Sequence, residues 1–244
     1  QIEEPQKGKK VVKPVVTELV PHGFTYNDKV RESRQSNYLA AVMFDKIELG
    51  VSFLDISTGE FMVAQGSDEF VQKLLQSLNP SEVLYAKPNR KRFETTFGND
   101  HHTYTLDDWI FTHDFGYDRL IQHFQTANLK GFGIEDQQLA ISAVSACLHY
   151  LEQTHHNHVD HITSISRLEE DTYVCKNNFT VRNLELVYPN HANGKSLLQI
   201  LDQTNTPMGG RLLKKWLVLP LKSLTSIQTR LQIVEYFVNN QTVA

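Results

Sequence analysis

In the first half of the chain, apolar positions come in short β-rich runs; beyond about residue 131 they recur every three to four residues. Residues 37–44 form the first apolar run and Asp45-Lys46 a polar turn. Residues 49–56 and 60–65 follow as β-rich runs joined by Ser57-Thr58-Gly59, which predicts a three-strand antiparallel meander. Gly66-Ser67 then opens a helix with Asp68 and Glu69 in its first turn, where carboxylates favour the positive end of the helix dipole. Val71, Leu74, Leu75 and Leu78 recur at helical spacing, Asn79-Pro80 breaks the run, and residues 82–86 return as a strand. After a polar stretch, a strand is expected around residues 103–106. A helix over residues 117–125 should then bury Leu120, Ile121 and Phe124.

The order βββαβ is the skeleton of an RNase H-like sheet. Gly131 and Gly133 mark the change of period, and from there the pattern is helical. Leu139, Ala143, Cys147 and Leu151 form a ladder flanked by Ile141, Val144 and Leu148, too apolar for an isolated surface helix. Residues 196–203 and 207–217 predict two more helices. Thr206 fits the N-cap of the second, Pro207 its first position, and Pro220 its end. Arg211, Lys214 and Lys215 lie on its solvated face, with Leu212, Leu213, Trp216 and Leu217 opposite and Trp216 expected to be buried. Thr225-Ser226-Ile227-Gln228 reads as a capping box for a last helix that should bury Ile227, Leu231, Val234 and Phe237. Residues 1–24, broken by Pro5, Pro14 and Pro21, read as an extended linker in which residues 15–20 could add a strand to a neighbour. The expected organisation is thus a linker (1–24), an α/β unit with a mixed sheet and flanking helices (25–130) and an all-α segment (131–244), the last two with separate cores. An apolar helix closing the chain implies a piece of a longer protein.

Composition narrows the class. At 244 residues, 40% hydrophobic and 21% charged, the chain is ordinary for a globular protein. No apolar run approaches the roughly 18 to 20 residues that span a bilayer, and the N-terminus lacks a signal-peptide core, so a cytoplasmic protein with no membrane partner is expected. The two cysteines, Cys147 and Cys175, make no disulfide framework. A net charge of −4 and a pI near 6.3 argue against a dedicated nucleic-acid surface.

Each candidate for chemistry has a plainer explanation. An RNase H-like sheet invites a two-metal nuclease, which needs converging carboxylates. The first strand carries none inside it; Asp45 sits at its turn, Asp55 lies in the second strand with no acidic neighbour, and Glu60 begins the third. Asp55-Ile56-Ser57-Thr58-Gly59 lacks the glycine that an actin-like phosphate loop needs at Ser57. Gly194-Lys195-Ser196 mimics the end of a phosphate-binding loop, but Pro189 stands where its first glycine belongs, and a helix start at Ser196 explains it better. His155, His156, His158 and His161, with Asp160, form a dense cluster at the polar end of a helix and read as surface histidines. No catalytic, cofactor or metal residue is therefore assigned.

The run Leu-Asp-x-Thr-x-Thr-Pro-Met-Gly-x-Arg-Leu-Leu-x-x-Trp-Leu over residues 201–217 resembles the core-domain signature of the MutS mismatch-repair family. Four further collinear blocks resemble that family: residues 1–5 with 12–20, 50–61, 129–133 and 180–186. Pro21-His22-Gly23 departs from its usual Pro-Gly turn. The resemblance implies an RNase H-like connector followed by the start of the helical core, without the family's mismatch-reading Phe-x-Glu motif and complete Walker A loop. It further implies a parent that binds mismatched DNA, hydrolyses ATP with magnesium, recruits MutL and forms a homodimer. This segment itself would couple domains without being an enzyme. Asp118, Arg119 and Gln122, pointing outward from the helix over residues 117–125, are the expected MutL-docking residues. The alternative is a stand-alone metal-dependent nuclease with a helical appendage.

Overall fold

A computed structural model describes residues 36–154, 159–174, 176, 178–191 and 193–240. The linker over residues 1–24, the histidines 155, 156 and 158, and Cys175 lie outside the described residues. The meander forms as the pattern demands: β1 (Tyr38–Phe44), β2 (Leu49–Asp55) and β3 (Glu60–Gly66) pair antiparallel, with Phe53 opposite Met62 and Leu54 opposite Phe61. Asp55 closes the second hairpin by accepting the Ser57 N–H at 3.1 Å and the Ser57 hydroxyl at 2.6 Å. Gly59 supplies the positive φ of +73° that the turn requires.

Helix α1 (Asp68–Leu78) begins where Ser67 accepts the Phe70 N–H and ends at Asn79 in the left-handed conformation. It returns the chain to β4 (Glu82–Ala86), parallel to β1. A second helix, α2 (Arg90–Phe97), was not expected, because its sequence carries only two apolar residues, Phe93 and Phe97. Those two, four apart, both point inward, and Phe93 stacks on Tyr85 with ring centroids 4.4 Å apart. β5 (Thr103–Leu106) pairs parallel to β4, and α3 (His113–Phe124) starts four residues earlier than the pattern suggested. Next come α4 (Gln138–Gln153) and the two-residue strand β6 (Ser166–Arg167), parallel to β3. Among the described residues the sheet order is β5-β4-β1-β2-β3-β6, an RNase H-like sheet with one added edge strand.

The boundary expected at residue 131 is not where the packing changes. Alternation along the strands sends Leu39, Ala41, Leu54, Phe61, Val63 and Leu84 to one face of the sheet, and Ile141, Val144, Cys147 and Leu148 of α4 bury against them. The helical period begins at 131 because α4 is a covering helix of the sheet, not the first helix of another unit. Its approach is so close that a Cβ on Gly50 would lie 2.2 Å from the Leu139 carbonyl carbon. Gln65 accepts the Leu139 N–H at 3.1 Å, and the Tyr150 hydroxyl donates to Glu82 at 3.1 Å.

The cores are not separate either. The other face of the sheet (Tyr38, Ala40, Val42, Val51, Phe53, Met62) is covered by Phe70, Val71 and Leu74 of α1 and also by Leu168, Leu186, Val187, Val218 and Leu219. The later helices are α5 (Asn178–Asn183), α6 (Leu197–Leu201), α7 (Pro207–Val218) and α8 (Leu224–Asn239). Ser196 and Gln199 form a full capping box at α6, and Thr206 caps α7 through the Gly209 N–H at 3.1 Å. Helix α8 departs from expectation. Its N-cap is Ser223, none of its residues is buried, and Leu231, Val234 and Phe237 are exposed. Trp216 is half-buried rather than buried, and the Arg230 guanidinium of α8 lies 4.0 Å from its ring centroid.

Candidate functional site

The polar centre of the chain lies where the sheet meets α7. Glu60, first residue of β3, accepts the Tyr38 hydroxyl at 2.7 Å with one carboxylate oxygen and the Lys215 ammonium at 2.7 Å with the other. Its position follows from register, since Glu60 pairs with Asp55 at the turn end of the β2–β3 hairpin while Tyr38 sits opposite Asp55 on β1. Lys215 reaches it because Val218 and Leu219, about one turn farther on, are buried on the same side of the sheet. Burial, and after it the Glu60 charge, hold the Tyr38 phenol far above its ordinary pKa, so it donates at every accessible pH.

Backbone contacts reinforce the seam. Ser77 of α1 donates to the Lys176 carbonyl at 3.1 Å, and the Lys176 ammonium donates to the Leu217 carbonyl at 3.4 Å. Val174 N–H donates to Pro220 O at 2.8 Å, and Lys222 N–H to Thr172 O at 3.0 Å, around an antiparallel bridge between Tyr173 and Leu221. Beside the ion pair lies a cleft of about 750 Å³ between the second hairpin (Thr58, Gly59) and α7 (Met208, Arg211, Leu212).

The carboxylates weighed for metal chemistry do not converge. Asp55 is 1% exposed and spends its oxygens on the Asn37 and Ser57 N–H groups and the Ser57 hydroxyl; Glu60 is held by Tyr38 and Lys215; Asp45 lies exposed at the opposite end of β1. Among the described residues no three His, Cys, Asp or Glu side chains gather as metal ligands. His161 instead bonds the Ile56 carbonyl and braces the second hairpin. The residues 194–196 form no phosphate loop: Gly194 N–H donates to His191 O at 2.9 Å and Ser196 caps α6.

The three docking residues expected on α3 are not equivalent. Asp118 and Gln122 are exposed. Arg119 does not point outward; its side chain is 17% exposed, ion-pairs with Glu152 of α4 and lies over the Phe115 ring at 5.5 Å. Trp109 is a further exposed aromatic on this side of the chain. It is 52% exposed, yet its ring is fixed edge-to-face against Phe115 at 5.0 Å and His149 at 5.4 Å. The only available signal in the sequence was its position directly after Asp107-Asp108, although Ile110 and Phe111, which follow it, are buried in the core.

Fold and seam together describe an RNase H-like sheet fused through one of its faces to a helical segment. Residues 37–163 match the family described as MutS domain II and residues 179–244 that described as MutS domain III. The chain belongs to the MutS family. It is 54% identical over 99% of its length to the DNA mismatch repair protein MutS of Cytophaga hutchinsonii. It is 48% identical over 100% to that of Flavobacterium psychrophilum and 49% identical over 97% to that of Parabacteroides distasonis. It spans about 28% of the length of the first two and 27% of the third.

Proposed function

We propose that this segment is the connector and partial core of a mismatch-repair protein, where it passes conformational change between domains and performs no chemistry of its own. The whole protein, on this reading, binds mismatched DNA, binds and hydrolyses ATP with magnesium, recruits MutL and works as a cytoplasmic homodimer. The observation that carries the coupling role is Glu60, which ties strand β1 through Tyr38 and helix α7 through Lys215 in one network. Any tilt of α7 is felt at the sheet because Val218 and Leu219 are buried in the same core. No helix among the described residues is long and apolar enough to cross a membrane.

The test uses the full-length protein. Lys215→Glu should weaken the dependence of ATP turnover on mismatched DNA, and the swap of Glu60→Lys with Lys215→Glu should restore much of it. Wild-type dependence in Lys215→Glu would overturn the coupling role.

We infer that MutL docks around Asp118 and Gln122 of α3 and the exposed Trp109, which packs against Phe115 of the same helix. A rigidly held, exposed tryptophan beside solvated polar residues is the composition of an interface anchor. Asp118→Lys combined with Gln122→Lys in the full-length protein should abolish MutL capture while DNA binding persists. Capture at wild-type level would place the docking face elsewhere.

A further inference from the structure

We propose that His149 makes this docking face acid-sensitive: protonation expels the imidazole from its place against Trp109 and Phe115 and unseats the Trp109 ring. The inference rests on the reading that Trp109 belongs to a partner-binding face, and it concerns the regulation of that face.

His149 lies on α4 and completes a three-ring cluster with Trp109 of the turn that follows β5 and Phe115 of α3, which also touch each other. Its ring centroid is 5.4 Å from that of Trp109 and 5.8 Å from that of Phe115, at interplanar angles of 75° and 79°. Both ring nitrogens are buried and neither has a hydrogen-bond partner among the described residues. A neutral imidazole tolerates this, because edge-to-face aromatic packing takes the place of the missing bonds. An imidazolium does not, since it must bury a charge and two donors with nothing to receive them.

The charges nearby decide how strongly. Arg119 faces the site from α3, with its guanidinium over the same Phe115 ring and its Nε buried without a hydrogen bond. It repels a second cation. Glu152, one turn along α4, and Asp107, ahead of the Trp109 turn, attract one, but each already has a cation: Glu152 pairs with Arg119 and Asp107 with Lys87 at 2.6 Å. Desolvation first and Arg119 second therefore hold the His149 pKa below its ordinary value. When the proton does bind, the charge is relieved by rotation of the ring into water, which is close because the residue is only partly buried. Trp109 then loses one of its two edge contacts and its fixed orientation.

The chain has two tryptophans, so in a Trp216→Phe background the fluorescence reports Trp109 alone. Titrated from about pH 8 to about pH 5, the emission should shift to the red in a single step, with its midpoint below the ordinary histidine value of about 6.5. His149→Phe should abolish the step, and Arg119→Gln should move its midpoint upward. Far-UV circular dichroism on each variant establishes that it folds; if His149→Phe does not, the Arg119→Gln displacement decides. No step, the same step in His149→Phe, or an unmoved midpoint in Arg119→Gln would overturn the proposal. A working switch together with MutL capture that survives Asp118→Lys and Gln122→Lys would instead overturn the docking reading alone.

Discussion

Glu60 and Lys215 are 155 positions apart, yet the carboxylate and the ammonium meet at 2.7 Å, joining the start of strand β3 to the last turn and a half of helix α7. Both side chains are partly exposed, so the Coulomb attraction is moderated by water. A double-mutant cycle with Glu60→Gln and Lys215→Met, measured by denaturant unfolding, should give a coupling energy of about 0.5–1 kcal/mol. Additive single effects would mean that the ion pair contributes nothing to the seam.

Gly50 is where α4 is pressed onto the sheet. A methyl group there would overlap the Leu139 carbonyl and the Ala140 nitrogen, both backbone atoms that no rotamer change can move. Gly50→Ala should therefore destabilise the chain by about 1–3 kcal/mol or more. Thermal or denaturant unfolding checks it, and a neutral outcome would mean that α4 sits farther out.

Cys147 is fully buried on α4, 3.3 Å from the Ser52 hydroxyl, and burial pushes its thiol up to about 12. It should react with thiol reagents only at the rate at which the chain opens, and labelling should accelerate in parallel with unfolding. Prompt labelling under native conditions would contradict the packing of α4.

Leu219, 1% exposed, follows α7 directly and packs on the sheet's second face. Leu219→Ala should cost about 2–5 kcal/mol. Trp216→Ala should cost less than a core tryptophan would, because its ring is half-buried and stacks chiefly on Arg230. Denaturant midpoints compared under one set of conditions would rank the two; the reverse order would mean that α7 packs through Trp216.

Strands β1 to β5, α1 and the cap of α7 were legible in the sequence because each is written locally: short β-rich runs, Ser67 and Asn79, Thr206 and Pro207. Helix α2 was not, since two inward phenylalanines four apart leave too weak a periodic signal in a polar stretch. The unit boundary was misplaced for a different reason. A change of period marks a change of element, and only long-range packing, such as Ile141 against the sheet, says which unit an element joins. The α8 pattern promised burial of Leu231, Val234 and Phe237, but periodicity shows that a helix has an apolar face without showing what lies opposite. Of the site, Asp118 and Gln122 were correctly placed on the surface, while Arg119 was drawn inward by Glu152 and Phe115. Glu60 was weighed as a metal-ligand carboxylate, and only the fold reveals Tyr38 and Lys215 around it.

The central claim is that the sheet and α7 form one cooperative body. The two tryptophans report its two parts: Trp109 beside α3 and α4, and Trp216 on α7. Unfolding the Trp216→Phe and Trp109→Phe variants in guanidinium, each followed by its remaining tryptophan and by far-UV circular dichroism, compares the parts directly. In each variant the tryptophan and circular-dichroism curves should coincide, with a common slope for both variants. A Trp216 transition completed at lower denaturant, while the circular dichroism of the sheet and its covering helices persists, would contradict the shared core and with it the coupling role.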